Sequence, residues 1–67
     1  MSKFSERLKE LRLEKKWAIS VLSKKIEVGH GTVSRWENNQ ADIKSEQLIK
    51  LARVFGVSVG YLVGEED

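Results

Sequence analysis

Cysteine and proline are both missing from this chain of 67 residues, and it holds a single histidine. Without cysteine, neither disulfides nor thiolate metal sites are available. One imidazole, His30, does not make a histidine-based metal centre, so no metal and no cofactor are expected. No run of apolar residues approaches the length of a signal-peptide hydrophobic region or a membrane span, which predicts a soluble, cytoplasmic chain. Strand signals are absent too, because β-branched residues occur singly at helical spacing and never in alternation. No proline, linker, internal repeat or low-complexity stretch interrupts residues 1–63. One small all-α domain remains. A domain of this size buries only about 60% of the surface its unfolded chain exposes, so its core must be efficient and a partner subunit would help.

The net charge is only +2, but it is unevenly spread. Residues 1–26 carry eight Lys or Arg against three Glu, whereas residues 37–67 carry three basic against six acidic residues. Such polarity would turn one end of the molecule toward phosphates; solvated helix faces explain it equally well.

Phe4, Leu8 and Leu11 recur at helical spacing in a first helix. Its outer face carries Glu6, Arg7, Lys9 and Glu10 as possible i,i+3 partners. Ser2 is a candidate N-cap, and the helix should fade near Lys15 and Lys16, whose charges suit a C-terminus. Trp17 begins the connection to a second helix over residues 19–26. A third runs from 29 or 30 to 38, and residues 38–42 read as a polar loop. A fourth spans residues 45–55, with Leu48, Leu51, Ala52 and Phe55 on one stripe and Gly56 at the C-terminal glycine position. A short fifth, residues 58–63, turns Tyr61 and Leu62 inward and ends at Gly64. Residues 65–67 form an acidic tail expected to fray. The expected core is Phe4, Leu8, Leu11, Trp17, Leu22, Ile26, Val28, Val33, Trp36, Leu48, Leu51, Phe55, Val57, Tyr61 and Leu62. The aromatics fall on apolar stripes, which marks them as core rather than base-stacking platforms.

Residues 19–37 carry the most information. Leu22 and Ile26 face one way on one short helix, Val33 and Trp36 on the next, and Val28 plugs the corner. Two helices so patterned pack at a steep angle and leave the outer face of the second free, the layout that enters a DNA major groove.

The chain resembles the Cro/repressor (XRE-type) helix-turn-helix domains of phage repressors and bacterial regulators. The matching pieces are Phe4-x3-Leu8-x2-Leu11-Arg12, Leu22-x3-Ile26-x-Val28 and Thr32-Val33-Ser34-Arg35-Trp36-Glu37-Asn38. The last runs Leu48-x2-Leu51-Ala52-x2-Phe55-Gly56-Val57-Ser58-x2-Tyr61-Leu62-x-Gly64. The resemblance implies a lambda-repressor-like bundle of five short helices over residues 1–64, binding double-stranded DNA through the third helix. Base-facing positions then fall on Gly29, His30, Gly31 and Arg35, and Arg35 is suited to grip guanine O6 and N7 with both arms. Ser20, Thr32, Ser34, Asn38 and Lys44 fall where phosphates are met, together with the backbone amides opening the second helix. Arg12 and Glu37 match a pair that is buried and ionic in some phage members.

Several positions depart from the family pattern. Ile19 stands where a polar residue usually opens the second helix, and Ala18 where a capping hydroxyl is common, a loss of about 1 kcal/mol. Ser23 replaces a small alanine, so its hydroxyl needs a partner. Glu27 occupies the turn glycine; a left-handed backbone there costs roughly 1 kcal/mol or more, unless Gly29 takes the positive φ. Gly31 offers no side chain where the family often reads a base. Fewer side-chain contacts leave more of the affinity to phosphates and steepen its salt dependence, and Gly29 and Gly31 make the helix start pliable.

Family members of this size usually bind as dimers to half-sites about 34 Å apart. Ile43, Val59 and Val63 are the apolar residues least needed for the core, and they form the expected dimer surface. The rival functions are a protein-binding module, such as an antitoxin of a toxin–antitoxin pair, and a helix-turn-helix that has lost its DNA affinity. No enzyme is expected, because the glutamates lie beside lysines on charged faces and the serines lack a matching base. The acidic tail suits a complete Cro-like protein and equally the N-terminal domain of a longer repressor; no small-molecule ligand is inferred.

Overall fold

Apolar residues three and four apart cannot all meet water on a helix, and each stripe of this chain is buried against another. The computed structural model describes residues 3–40 and 42–66; the proposed Ser2 cap, Ala41 of the polar loop and Asp67 of the tail lie outside them. In chain order the helices are α1 (Lys3–Glu14), α2 (Ile19–Lys25), α3 (His30–Glu37), α4 (Ser45–Phe55) and α5 (Val59–Val63). Helix α1 packs against α3 and α5, α2 against α3, and α4 against α5.

Leu8, Leu22, Val33, Leu51 and Leu62 are fully enclosed, and Ile26 and Trp36 nearly so. Burying a side chain of this kind stabilises a fold by about 1.5–3 kcal/mol. Leu11, Ala52 and Phe55 complete the buried cluster, and Phe4, Trp17, Val28, Leu48, Val57 and Tyr61 pack against it from partly exposed positions. Trp17 lies on Phe55 with ring centroids 5.4 Å apart, and the Lys25 ammonium sits 4.8 Å from the Trp17 ring centre. Ile19, Ile43 and Val54 join the same shell. The apolar residue that opens α2 is therefore used for packing.

The five helices end alike. Each closes with one bond spanning five residues and a tighter one inside it, the Schellman arrangement. The wide bonds run from the amides of Trp17, Val28, Gln40, Val57 and Glu65 to the carbonyls of Arg12, Ser23, Arg35, Ala52 and Gly60. The arrangement needs one left-handed residue per helix end. Gly56 and Gly64 supply it at φ 68° and 88°, but Lys16, Glu27 and Asn39 adopt φ 59°, 60° and 58° without being glycine. Gly29 does not take the positive φ; its backbone is extended at φ −71° and ψ 152°. Glu27 keeps the left-handed turn because Ile26 and Val28 must both face the core on either side of it.

Helix limits shift slightly from the periodicity. Ile26 and Asn38 follow the last helical residues of α2 and α3, and Ser58 precedes α5 as its N-cap, accepting from the Tyr61 amide at 2.9 Å. The larger difference is the acidic tail. Glu65 and Glu66 fold back on α5: both amides donate to the Gly60 carbonyl at 2.8 and 3.2 Å, and the Ser58 hydroxyl donates to the Glu66 carboxylate at 3.0 Å. Arg7 donates to the carbonyls of Tyr61 and Glu66, with its guanidinium 4.2 Å from the centre of the Tyr61 ring.

Candidate nucleic-acid interface

Helix α3 is oriented from its inner side. Val33 and Trp36, three residues apart, are enclosed by the core. That leaves His30, Gly31, Arg35 and Asn38 exposed on the outer side, with Thr32 and Ser34 half-buried at the edges. The Asn38 amide lies 3.5 Å from the Ser34 hydroxyl one turn back, aligning two of the polar candidates along the helix.

The two helices of the motif meet across a corner closed by the Val28 amide on the Ser23 carbonyl at 3.0 Å. Val28 packs against the core there. Ser23 finds its partner inside α2, donating to the Ile19 carbonyl at 2.8 Å. Neither helix of the motif has a side-chain cap: Ala18 and Gly29 occupy the N-cap positions with extended backbone and no capping bond. Ser20 is exposed in the first turn of α2 and Lys44 is exposed just ahead of α4. The Lys44 amide donates to the Gln47 side chain at 3.4 Å, which ties the polar loop to α4.

The end of α3 is gripped from behind. Arg12 Nε and Nη2 donate to the two carboxylate oxygens of Glu37 at 2.6 and 2.9 Å, with only 10% and 5% of the two side chains exposed. The third guanidinium nitrogen, Nη1, donates to the Trp17 carbonyl at 2.7 Å. Hydrogen bonding to Glu37 holds the Arg12 pKa above its ordinary value, with burial pulling the other way. Two parallel bonds fix the angle as well as the distance between α1 and α3, as single contacts do not. A second contact was not anticipated from sequence: the buried Ser5 hydroxyl donates to the Trp36 carbonyl at 2.6 Å. The signal was present, since Ser5, Leu8 and Arg12 fall at i, i+3 and i+7, one inward stripe of α1. Every buried side-chain polar atom among the described residues has a partner.

Of the expected dimer residues, Ile43 is half-buried against the core, Val63 is half-buried, and Val59 is 36% exposed. Leu13, Val21 and Ile49 are more exposed than any of these, at 55%, 39% and 45%. Among the described residues, no group of three or more His, Asp or Glu converges as a metal site, and no helix is long and apolar enough to cross a membrane.

A family model described as helix-turn-helix matches residues 8–62, from the middle of α1 to the end of α5. The chain belongs to the Cro/C1-type helix-turn-helix family. Among curated proteins it is similar to the HTH-type transcriptional regulator ImmR of Bacillus subtilis (strain 168), with 29% identity over 62 residues. That match takes in 92% of the chain but 49% of ImmR, so the chain spans about half the length of this relative. Among solved structures it is similar to the P22 c2 repressor bound to a synthetic operator, with a TM-score of 0.88 and 25% identity, covering 94% of this chain and 96% of that one. A transcriptional regulator from Listeria innocua matches with a TM-score of 0.88 and 28% identity, over 96% of this chain and 60% of the other. These likenesses place the chain in the lambda-repressor-like fold, in a family of DNA-binding transcription regulators.

Proposed function

We propose that this chain acts in the cytoplasm as a sequence-specific regulator of transcription, laying α3 in the major groove of a palindromic operator as a homodimer and repressing from it. The observation that carries this is the outer stripe of α3, which leaves His30, Gly31, Arg35 and Asn38 exposed on a helix whose far end is held by the buried Arg12–Glu37 pair. Arg35 reads guanine through two parallel bonds, and His30 meets a base edge beside the open backbone of Gly29 and Gly31. Ser20, Thr32, Ser34, Asn38 and Lys44 hold phosphates, and these contacts set register without reading sequence. Ile43, Val59 and Val63 lie between the two copies. The operator-bound P22 c2 repressor, which shares this fold, supports the DNA reading by likeness.

The test is a fluorescence-anisotropy titration of duplex DNA at two salt concentrations, with wild type and Arg35→Ala, followed by site selection from a random pool. Salt-sensitive binding and recovery of a palindrome that Arg35→Ala no longer prefers is the expected result. No duplex binding by wild type at low salt would overturn it and move the weight to a protein partner, the antitoxin-like alternative.

A further inference from the structure

We infer that Gly31 is a specificity determinant: its side-chain-free surface on the outer stripe of α3 receives the edge of a base pair, next to the guanine that Arg35 reads. The inference rests on the DNA-binding reading above and concerns which surface of α3 does the reading.

The fold does not ask for glycine at this position. Gly31 lies inside α3 and is not among the residues with positive φ, and a Cβ added there would meet nothing within 4 Å. Two other glycines have a structural reason, since Gly56 and Gly64 hold left-handed turns, while a Cβ at Gly29 would meet only the Thr32 hydroxyl at 3.8 Å. Glycine is also a poor helix former, since it loses more backbone freedom than any other residue on folding. Gly31 therefore weakens α3 without any return in packing.

Its position explains what the gap is for. Residues 31, 35 and 38 stand at i, i+4 and i+7, one outward stripe along α3, and all three are exposed. Side chains on a helix lean toward its N-terminus, so the patch covered by Arg35 lies over the preceding turn, which is the turn of Gly31. A side chain at 31 would stand between the guanidinium and the groove floor. Without one, the backbone can approach a base edge closely while Arg35 spans to its neighbour. A rival explanation is slack: two glycines near the start of α3 could merely let it adjust on binding. The two explanations differ in sign, because stiffening a slack helix tightens binding.

Gly31→Ala separates them. Wild type and variant are titrated against the duplex that wild type recovers from a random pool and against a shuffled duplex of equal length, and both proteins are melted. The expected result is a higher Tm, unchanged affinity for the shuffled duplex and about tenfold weaker binding to the selected one. Equal or tighter binding to the selected duplex would overturn the inference, and so would a lower Tm, which would make Gly31 a structural residue. If wild type recovers no preferred duplex, the sequence-specific reading itself falls; if wild type discriminates and Gly31→Ala does so equally, only the role of Gly31 falls.

Discussion

Replacing Glu27 with glycine should stabilise the domain, although it deletes a side chain from the centre of the motif. Glu27 holds φ 60° in the turn between α2 and α3 and is exposed, so little packing is lost. An L-residue pays about 1–2 kcal/mol in the left-handed region. Glycine removes that strain but gains unfolded-chain entropy worth about 0.5–1 kcal/mol, leaving a net gain of about 0.5–1 kcal/mol. For a domain of this length, 1 kcal/mol moves Tm by about 4–8 °C, so the variant should melt about 2–8 °C higher. Gly56 supplies the mirror test. It holds the same conformation at φ 68°, and an added Cβ would meet nothing within 4 Å, so Gly56→Ala measures backbone strain without a clash and should lower stability by about 1 kcal/mol. Thermal melts followed by circular dichroism, with urea midpoints as a second probe, check both. A Glu27→Gly protein melting at or below wild type would refute the left-handed turn as the source of the cost.

Three further outcomes follow from the same geometry. Arg12→Ala and Glu37→Ala should each destabilise by about 3–5 kcal/mol, because each strands a buried partner. Combining Arg12→Ala with Glu37→Ala should cost far less than the sum of the singles, and additivity in a urea double-mutant cycle would contradict the pairing. Ala18→Ser gives α2 the cap it lacks and should add about 0.5–1 kcal/mol in the same assay; no gain would show that the extended backbone at Ala18 does not present the hydroxyl to the helix amides. Ser5→Ala should cost about 1 kcal/mol, less than the loss of either charged partner, since the Trp36 carbonyl also accepts from the Asn39 amide at 3.2 Å. A loss as large as that of Arg12→Ala would refute this ranking.

Much of the fold was legible because it depends on local spacing. Leu48, Leu51, Ala52 and Phe55 followed by Gly56 mark α4 from Ser45 to Phe55, and the structure places it there. The inward stripes of α1, α2 and α3 were equally plain, and the fifteen residues expected in the core are all buried or packed against it. Spacing failed where bonds join distant parts of the chain. Arg7 reaches Tyr61 across 54 positions, which no local pattern announces, so the tail seemed bound to fray. The turn at Glu27 was ambiguous for a related reason: glycine two residues on offered an easier left-handed site. Tertiary packing decided it, because Ile26 and Val28 both had to reach the core. The family pattern also marked Ile19 as a lost polar contact and did not reveal its place against the core.

The grip of α1 on α3 is strongest at the end of that helix farthest from its first turn. Its last turn is clamped at Trp36 and Glu37 by Ser5 and Arg12, while its first turn has no side-chain cap and contains Gly31. At 1.5 Å per residue, His30 lies about 10 Å along the axis from Glu37, so a tilt of about 5° at the clamp would move the first turn by about 1 Å. On the proposed reading, small changes in α1 would thus be felt at the turn that meets bases. On that reading, the guanidinium–carboxylate joint, the buried Val33 and the packing of α2 on α3 together limit how sharply that turn can tell one base pair from the next.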